Sequence, residues 1–262
     1  MEEKNISSEE VSREGKGLLE KGKYDLCLEN LLKAGVYFGH KKSRWNPKMA
    51  GYIFGIKNGV HIINLEKTLE LFRRALDFMA ETIEKGGEVM LIGTKNQVKA
   101  LVKAVGEKAE IPFVNERWIG GTLTNFENIS RRVKYLIETE EKISQGKLPY
   151  LTKFEKNQLQ KELNKLEEKM GGLKNMKRLP KAIFVLDVEK DILAIREAKK
   201  RGLPVIGLVD TNSNPEKVDY PIPANDDAYS SLGYILAVIL FHLLPDKRAI
   251  EKTEEKNNSK II

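Results

Sequence analysis

Ala182-Ile183-Phe184-Val185-Leu186-Asp187 is a run of five apolar residues ending on an acid. A run so short, with no polar alternation, fits a strand covered on both faces. Glu88–Gly93 and Pro204–Asp210 have the same character. The first two of these runs lead into helical stretches, Lys95–Lys108 and Glu189–Arg201, and a last helix, Asp226–Leu244, follows a proline-rich connection. Strands alternating with helices imply a parallel sheet with helices on both sides, an α/β architecture.

Upstream, Tyr52-Ile53-Phe54-Gly55-Ile56 and Val60-His61-Ile62-Ile63 flank Lys57-Asn58-Gly59. Asn-Gly between β-branched and aromatic runs predicts a hairpin, because both turn positions need positive φ. Leu65–Lys85 follows as an amphipathic helix, with Leu69, Phe72, Leu76 and Met79 at helical spacing and Gly86-Gly87 as its stop. Residues 126–173 break the strand–helix rhythm. Phe126, Ile129, Val133, Leu136 and Ile143 fall on a three–four repeat, and Leu159, Leu163, Leu166, Met170 and Leu173 fall on another. Two such helices joined at Gly146-Lys147-Leu148-Pro149 predict an antiparallel coiled-coil hairpin inserted between the strand around Pro112–Asn115 and the one at Ala182. The insertion serves either as an arm for docking protein or RNA or as a brace for its own domain.

The expected plan is therefore a flexible acidic extension over 1–24 and an α/β domain over 25–125 and 174–245. The coiled-coil insertion occupies 126–173 and a flexible tail 246–262. A length of 262 residues accommodates one domain with such an appendage. The single Cys27 excludes an internal disulfide and fits a reducing cytosol. The N-terminus has the order of neither a signal peptide nor a transit sequence, and Leu232–Leu244 is too short to span a bilayer. A soluble, cytoplasmic protein is expected.

A net charge of +7 favours a polyanionic partner, and its distribution is more telling. Residues 1–30 carry eight acids and five bases, whereas no acid but six Lys or Arg lie between Asn30 and Leu65. Such a run suits a surface facing phosphates, where cations displace condensed counterions. Its bland counterpart is a solvated basic face. The focus is His40-Lys41-Lys42-Ser43-Arg44-Trp45-Asn46-Pro47-Lys48, which sets four cations around an indole on a loop. Lys41, Lys42, Arg44 and Lys48 would neutralise phosphates and Trp45 would stack on an exposed base, unless Trp45 caps the core and the lysines stay in water.

Gly93-Thr94-Lys95 ends a strand at the start of the next helix, where free amides, the helix dipole and Lys95 could hold an anion, a nucleotide phosphate in an enzyme or one phosphate of an RNA. It matches neither common phosphate-loop pattern, and Gly93 alone accounts for a tight turn. Asp187 and Asp210 end two strands at the edge where α/β proteins place ligands. With His40 they form a candidate metal site, although capping the following loops is the simpler role. No metal and no cofactor is expected. With three histidines, one cysteine and no nucleophile–base pair in the pattern, the chain is not expected to be an enzyme.

The residues also carry a family pattern. It opens with Leu32-Lys33-Ala34-Gly35-Val36-Tyr37-Phe38-Gly39-His40 and Arg44-Trp45-Asn46-Pro47-Lys48-Met49, and continues with His61-Ile62-Ile63-Asn64-Leu65-Glu66-Lys67-Thr68. Arg117-Trp118-Ile119-Gly120-Gly121-Thr122-Leu123-Thr124-Asn125-Phe126, Val209-Asp210-Thr211-Asn212-Ser213-Asn214-Pro215 and Pro223-Ala224-Asn225-Asp226-Asp227 follow in order. Together these resemble the bacterial small-subunit ribosomal protein S2 family over about 31–240. The resemblance implies a doubly wound, flavodoxin-like sheet with the inserted hairpin. It implies a ribosomal constituent, not an enzyme, that binds small-subunit ribosomal RNA beside other ribosomal proteins and helps dock the large mRNA-recruiting one. Messenger contact would be indirect, and the source bacterial. Arg117, Trp118 and Lys95 join the candidate RNA-binding residues. Tyr37 stands where the family often has His, which weakens a metal site, and Ala224 replaces a family glycine. A nucleotide- or sugar-phosphate-binding protein using Gly93–Asn96 is the alternative, and a coiled-coil adaptor with an incidental basic surface a third.

Overall fold

The computed structural model describes residues 26–145 and 152–243. The expected tails and the turn at Gly146–Pro149 lie outside these residues.

The described residues begin with α1 (Leu28–Lys33), β1 (Phe38–Lys41), β2 (Ile53–Lys57) and β3 (Val60–Ile63). The strands make a small antiparallel sheet in the order β1-β3-β2. The predicted hairpin forms: Asn58 and Gly59 have φ of 52° and 76°, and Lys57 pairs with Val60. Helix α2 (Leu65–Glu84) starts at Asn64, whose side chain accepts from the Glu66 and Lys67 amides.

Next come β4 (Val89–Ile92), α3 (Lys99–Lys108), β5 (Phe113–Val114), α4 (Phe126–Ser144) and α5 (Lys153–Met170). The described residues end with β6 (Ala182–Val185), α6 (Ile192–Lys200), β7 (Val205–Val209), β8 (Tyr220–Pro223) and α7 (Tyr229–Leu243). The large sheet is wholly parallel in the order β5-β4-β6-β7-β8. Renumbered within that sheet, this is 2-1-3-4-5, the flavodoxin-like order, whose direction reverses between β4 and β6.

Both faces are covered, as the apolar runs required. Phe184 and Leu91 pack in a core with Phe72 of α2, Val105 of α3 and Ile235 of α7. Their neighbours Ile183, Val185 and Ile92 face a second core with Ile195 of α6, Leu123 and Trp118. Burying one such side chain contributes about 1.5–3 kcal/mol.

Three expectations need correction. The helix predicted from Lys95 begins only at Lys99, because Lys95–Val98 form a turn. The proline-rich connection contains β8, with Pro221 paired to Gly207 and Pro223 to Val209. Prolines are tolerated there because β8 is an edge strand. The basic segment is not a plain loop: β1 ends at Lys41, and short 3-10 turns span Lys42–Arg44 and Pro47–Tyr52.

The residues expected as an insertion form α4 and α5, between β5 and β6. Ile129, Val133, Leu136, Leu163 and Met170 are buried on their patterned positions. Ile129, Val133 and Met170 belong to the second core, so the base of the helix pair is continuous with the main domain.

Candidate nucleic-acid interface

β1 lies against the end of β7 because position 39 is glycine: a Cβ there would stand 2.5 Å from the Thr211 methyl. The His40 amide donates to Thr211 Oγ1 at 2.8 Å and the Asn46 amide to the Thr211 carbonyl at 2.7 Å. The basic segment is thereby tied at both ends. Between the ties, Lys41, Lys42 and Arg44 are exposed. None of the three forms an ion pair among the described residues. Asn46 accepts from the Lys48 amide, starting the turn that Pro47 continues. Trp45 is 38 % exposed, and its ring lies 5.2 Å from that of buried His61 at a 31° tilt. One indole face thus rests on His61 while part of the ring remains open to solvent. Lys48 differs from the other cations because its ammonium pairs with Glu216.

Lys95 and Trp118 are placed differently. Lys95 Nζ sits among carboxylates, 2.9 Å from Asp187 Oδ2 and 2.8 Å from both Asp226 Oδ1 and Asp227 Oδ1. It also donates to the Asp226 carbonyl. Burial works against its charge, but Asp226 first, then Asp227 and Asp187, carry its pKa above the ordinary value. With the helix starting four residues later, no anion cradle opens at Gly93–Lys95. Gly93 serves packing, since a Cβ there would meet Leu186 at 2.6 Å and Val102 at 2.8 Å. Trp118 is buried, and its Nε1 donates to Glu197 Oε1 at 3.1 Å. Arg117 beside it is exposed.

Glu197 organises the Trp118 loop. Its carboxylate also accepts from the amides of Gly121, Leu123 and Thr124 and from Thr124 Oγ1. Burial alone would raise the pKa of Glu197, but these donors hold it below the usual glutamate value.

Asp187 and Asp210 both fix loops. Asp187 Oδ1 accepts from the Glu189 and Lys190 amides at 2.9 Å, and Asp210 from the Thr211 amide and hydroxyl. His40 Nδ1 is 3.2 Å from Asp210 Oδ1, and Nε2 is 3.2 Å from Asp227 Oδ2. The pKa of His40 is raised, first by its contact with Asp210. A cation would find ligand atoms of His40, Asp210 and Asp226 within 4.8 Å of one another. Asp187 is not in that set, and like Asp226 it faces Lys95. The ammonium of Lys95 supplies positive charge beside Asp226 without a metal.

Sequence reasoning missed Asp226, Asp227 and Glu197. The Asn225-Asp226-Asp227 run was visible, but without β8 nothing placed it at the sheet edge. Burial and the charges of Asp210 and Asp187 push Asp226 up to about 7 from an ordinary 3.8. Its native pKa exceeds its unfolded one, so its stabilising contribution is complete below about pH 4 and is lost as pH rises toward 7. Asp226→Asn should raise the melting temperature at pH 7 by a few degrees and flatten its decline from about pH 4, as followed by circular dichroism. Parallel pH profiles for variant and native protein would refute this.

Residues 31–242 match the family described as Ribosomal protein S2. The chain is 47% identical over 209 residues to "Small ribosomal subunit protein uS2" of Francisella tularensis subsp. novicida, covering 80% of this chain and 87% of the relative. The protein of the same name from Francisella philomiragia subsp. philomiragia matches to the same extent, also at 47%.

Proposed function

The chain belongs to the ribosomal protein S2 family, and from that membership we propose that it is a structural constituent of the small ribosomal subunit, associated with its RNA and other ribosomal proteins. The observation that carries the RNA contact is where charge stands open. Lys41, Lys42 and Arg44 project beside a half-exposed indole on a segment anchored at both ends. The crevice between β4 and β6, where this fold binds small ligands, is instead filled by Lys95 and its carboxylates. Nucleotide or sugar-phosphate binding is therefore not favoured. Arg117 is a further phosphate contact in this reading. Trp118 acts from below, bracing the loop that presents Arg117.

In sucrose gradients a tagged copy should travel with small subunits. Replacing Lys41, Lys42 and Arg44 by glutamine should weaken incorporation and flatten its salt dependence by up to about one unit of slope per lost contact. Replacing Lys48, already paired with Glu216, should change less. Unchanged incorporation and slope would remove the segment from the interface.

The finer proposal is that this protein helps dock the large mRNA-recruiting ribosomal protein. An apolar groove of about 810 Å³ runs between α1 and the hairpin, lined by Leu28, Leu32, Tyr37, Phe54, Ile56 and Leu65. Phe54 is 80 % exposed, more than solvation alone favours for a phenyl ring. Helices α4 and α5 are the second candidate dock. Phe54→Ser combined with Ile56→Ser should yield small subunits that retain this protein but lose the mRNA-recruiting one. Undiminished recruitment would exclude the groove.

A further inference from the structure

We infer that the cleft between the Trp118 loop and α5 is a second phosphate-binding site for an RNA backbone, separate from the Lys41–Arg44 segment and resting on the RNA-binding reading above. The cleft encloses about 390 Å³. Its cations come from three parts of the chain: Arg117 from the loop, Arg132 from α4, and Lys165 and Lys169 from α5. Glu162 is the one acid among the lining residues, and Trp118, Leu166 and Met170 supply the apolar part.

None of the four cations has an ion-pair partner among the described residues. Nearby charges are treated otherwise: Lys174 bridges Glu140 and Glu167, and Arg131 is paired with Glu127 one turn away. Along α5, Lys161, Lys165 and Lys169 follow one another at four-residue spacing. Like charges so placed repel, and Glu162 and Glu168, each three residues from Lys165, offset only part of that repulsion because neither forms an ion pair with these lysines among the described residues. The cost of holding these cations together is offset when a polyanion occupies the cleft.

The geometry favours a phosphodiester backbone over an acidic protein segment. Arg117 and Arg132 bring planar guanidinium forks that engage phosphate oxygens in pairs. The lysine ridge repeats its charge about every 6 Å along the helix, a regular array of the kind a nucleic-acid strand offers in return. The loop wall is set before binding, because Glu197 already holds Trp118 Nε1 and three loop amides, so little ordering accompanies contact.

The test uses the full chain and a small-subunit ribosomal RNA transcript, with affinity measured across a series of salt concentrations. Arg132→Gln, Lys165→Gln and Lys169→Gln in one chain should lower the slope of log affinity against log salt by about two units while leaving the melting temperature near its native value. Combined with the substitutions at Lys41, Lys42 and Arg44, the losses should add, as for separate contacts. Glu162→Gln, which removes the acid and deletes no cation, should tighten binding roughly 3-fold, and it decides the matter if the triple variant fails to fold. A native slope in the triple variant, with a reduced slope in the Lys41–Arg44 variant, would overturn the cleft and leave the functional reading standing. Native slopes in both would overturn that reading as well. Unchanged RNA binding together with loss of a neighbouring protein from assembled subunits would assign the cleft to an acidic protein segment and overturn the proposal.

Discussion

Lys95→Met should be among the most damaging single substitutions in this chain, lowering stability by about 3–5 kcal/mol at neutral pH. Methionine keeps the length and apolar stem of lysine but removes the charge. Asp187 and Asp226, both almost fully buried, would then face each other and Asp210 with no cation between them. Asp227 is about half exposed and loses less, because water screens it. A domain whose total stability is of order 10 kcal/mol does not absorb such a loss quietly. The melting temperature should fall by roughly 10 °C or more. The deficit should shrink as the pH is lowered from above neutrality, because Asp226, already pushed up to about 7 with Lys95 in place, then takes up a proton and the repulsion is relieved. A fall of no more than about 2 °C, with no pH dependence, would show that these acids do not need Lys95.

The second large effect is expected at Glu197. Alanine there strands the indole N–H of Trp118, the amides of Gly121, Leu123 and Thr124, and the Thr124 hydroxyl. Some of these donors would find water, since the site is only partly enclosed, so the expected cost is about 2–4 kcal/mol. Glu197→Gln should fall between the native protein and Glu197→Ala: the amide oxygen still accepts, but its NH₂ group opposes donors. Tryptophan emission should shift to the red as Trp118 meets water. Because the native carboxyl titrates below its ordinary value, its contribution is present above the usual glutamate range and is lost as pH falls through it. Native-like emission and stability in Glu197→Ala would show that the loop holds itself.

Much of the sheet was legible because a strand covered on both faces leaves an unmistakable apolar run. Ile183 and Phe184 pack on opposite sides of the sheet, and neither tolerates a polar neighbour. β8 was not legible because Pro221 and Pro223 are strand breakers everywhere except at an edge, and edge position is a property of the whole sheet. Helix α3 was read too early because Lys95 is a good helix former, while tertiary ion pairs hold it in a turn. The basic segment announced itself through charge pattern alone. Glu197 and Asp226 could not, since their partners lie 76 and 131 residues away, at Gly121 and Lys95. Nothing local distinguishes Glu197 from any other helical glutamate.

The prolines of β8 matter beyond topology. Ala224 donates its amide to Val209, so by the alternation of a strand the nitrogens of Pro221 and Pro223 face away from β7. The outward rim of the sheet therefore offers no hydrogen at two successive places where an extra strand would need one. At the opposite rim, β5 is only two residues long. The large sheet is thus spared the commonest hazard of open sheets, stacking edge to edge into aggregates.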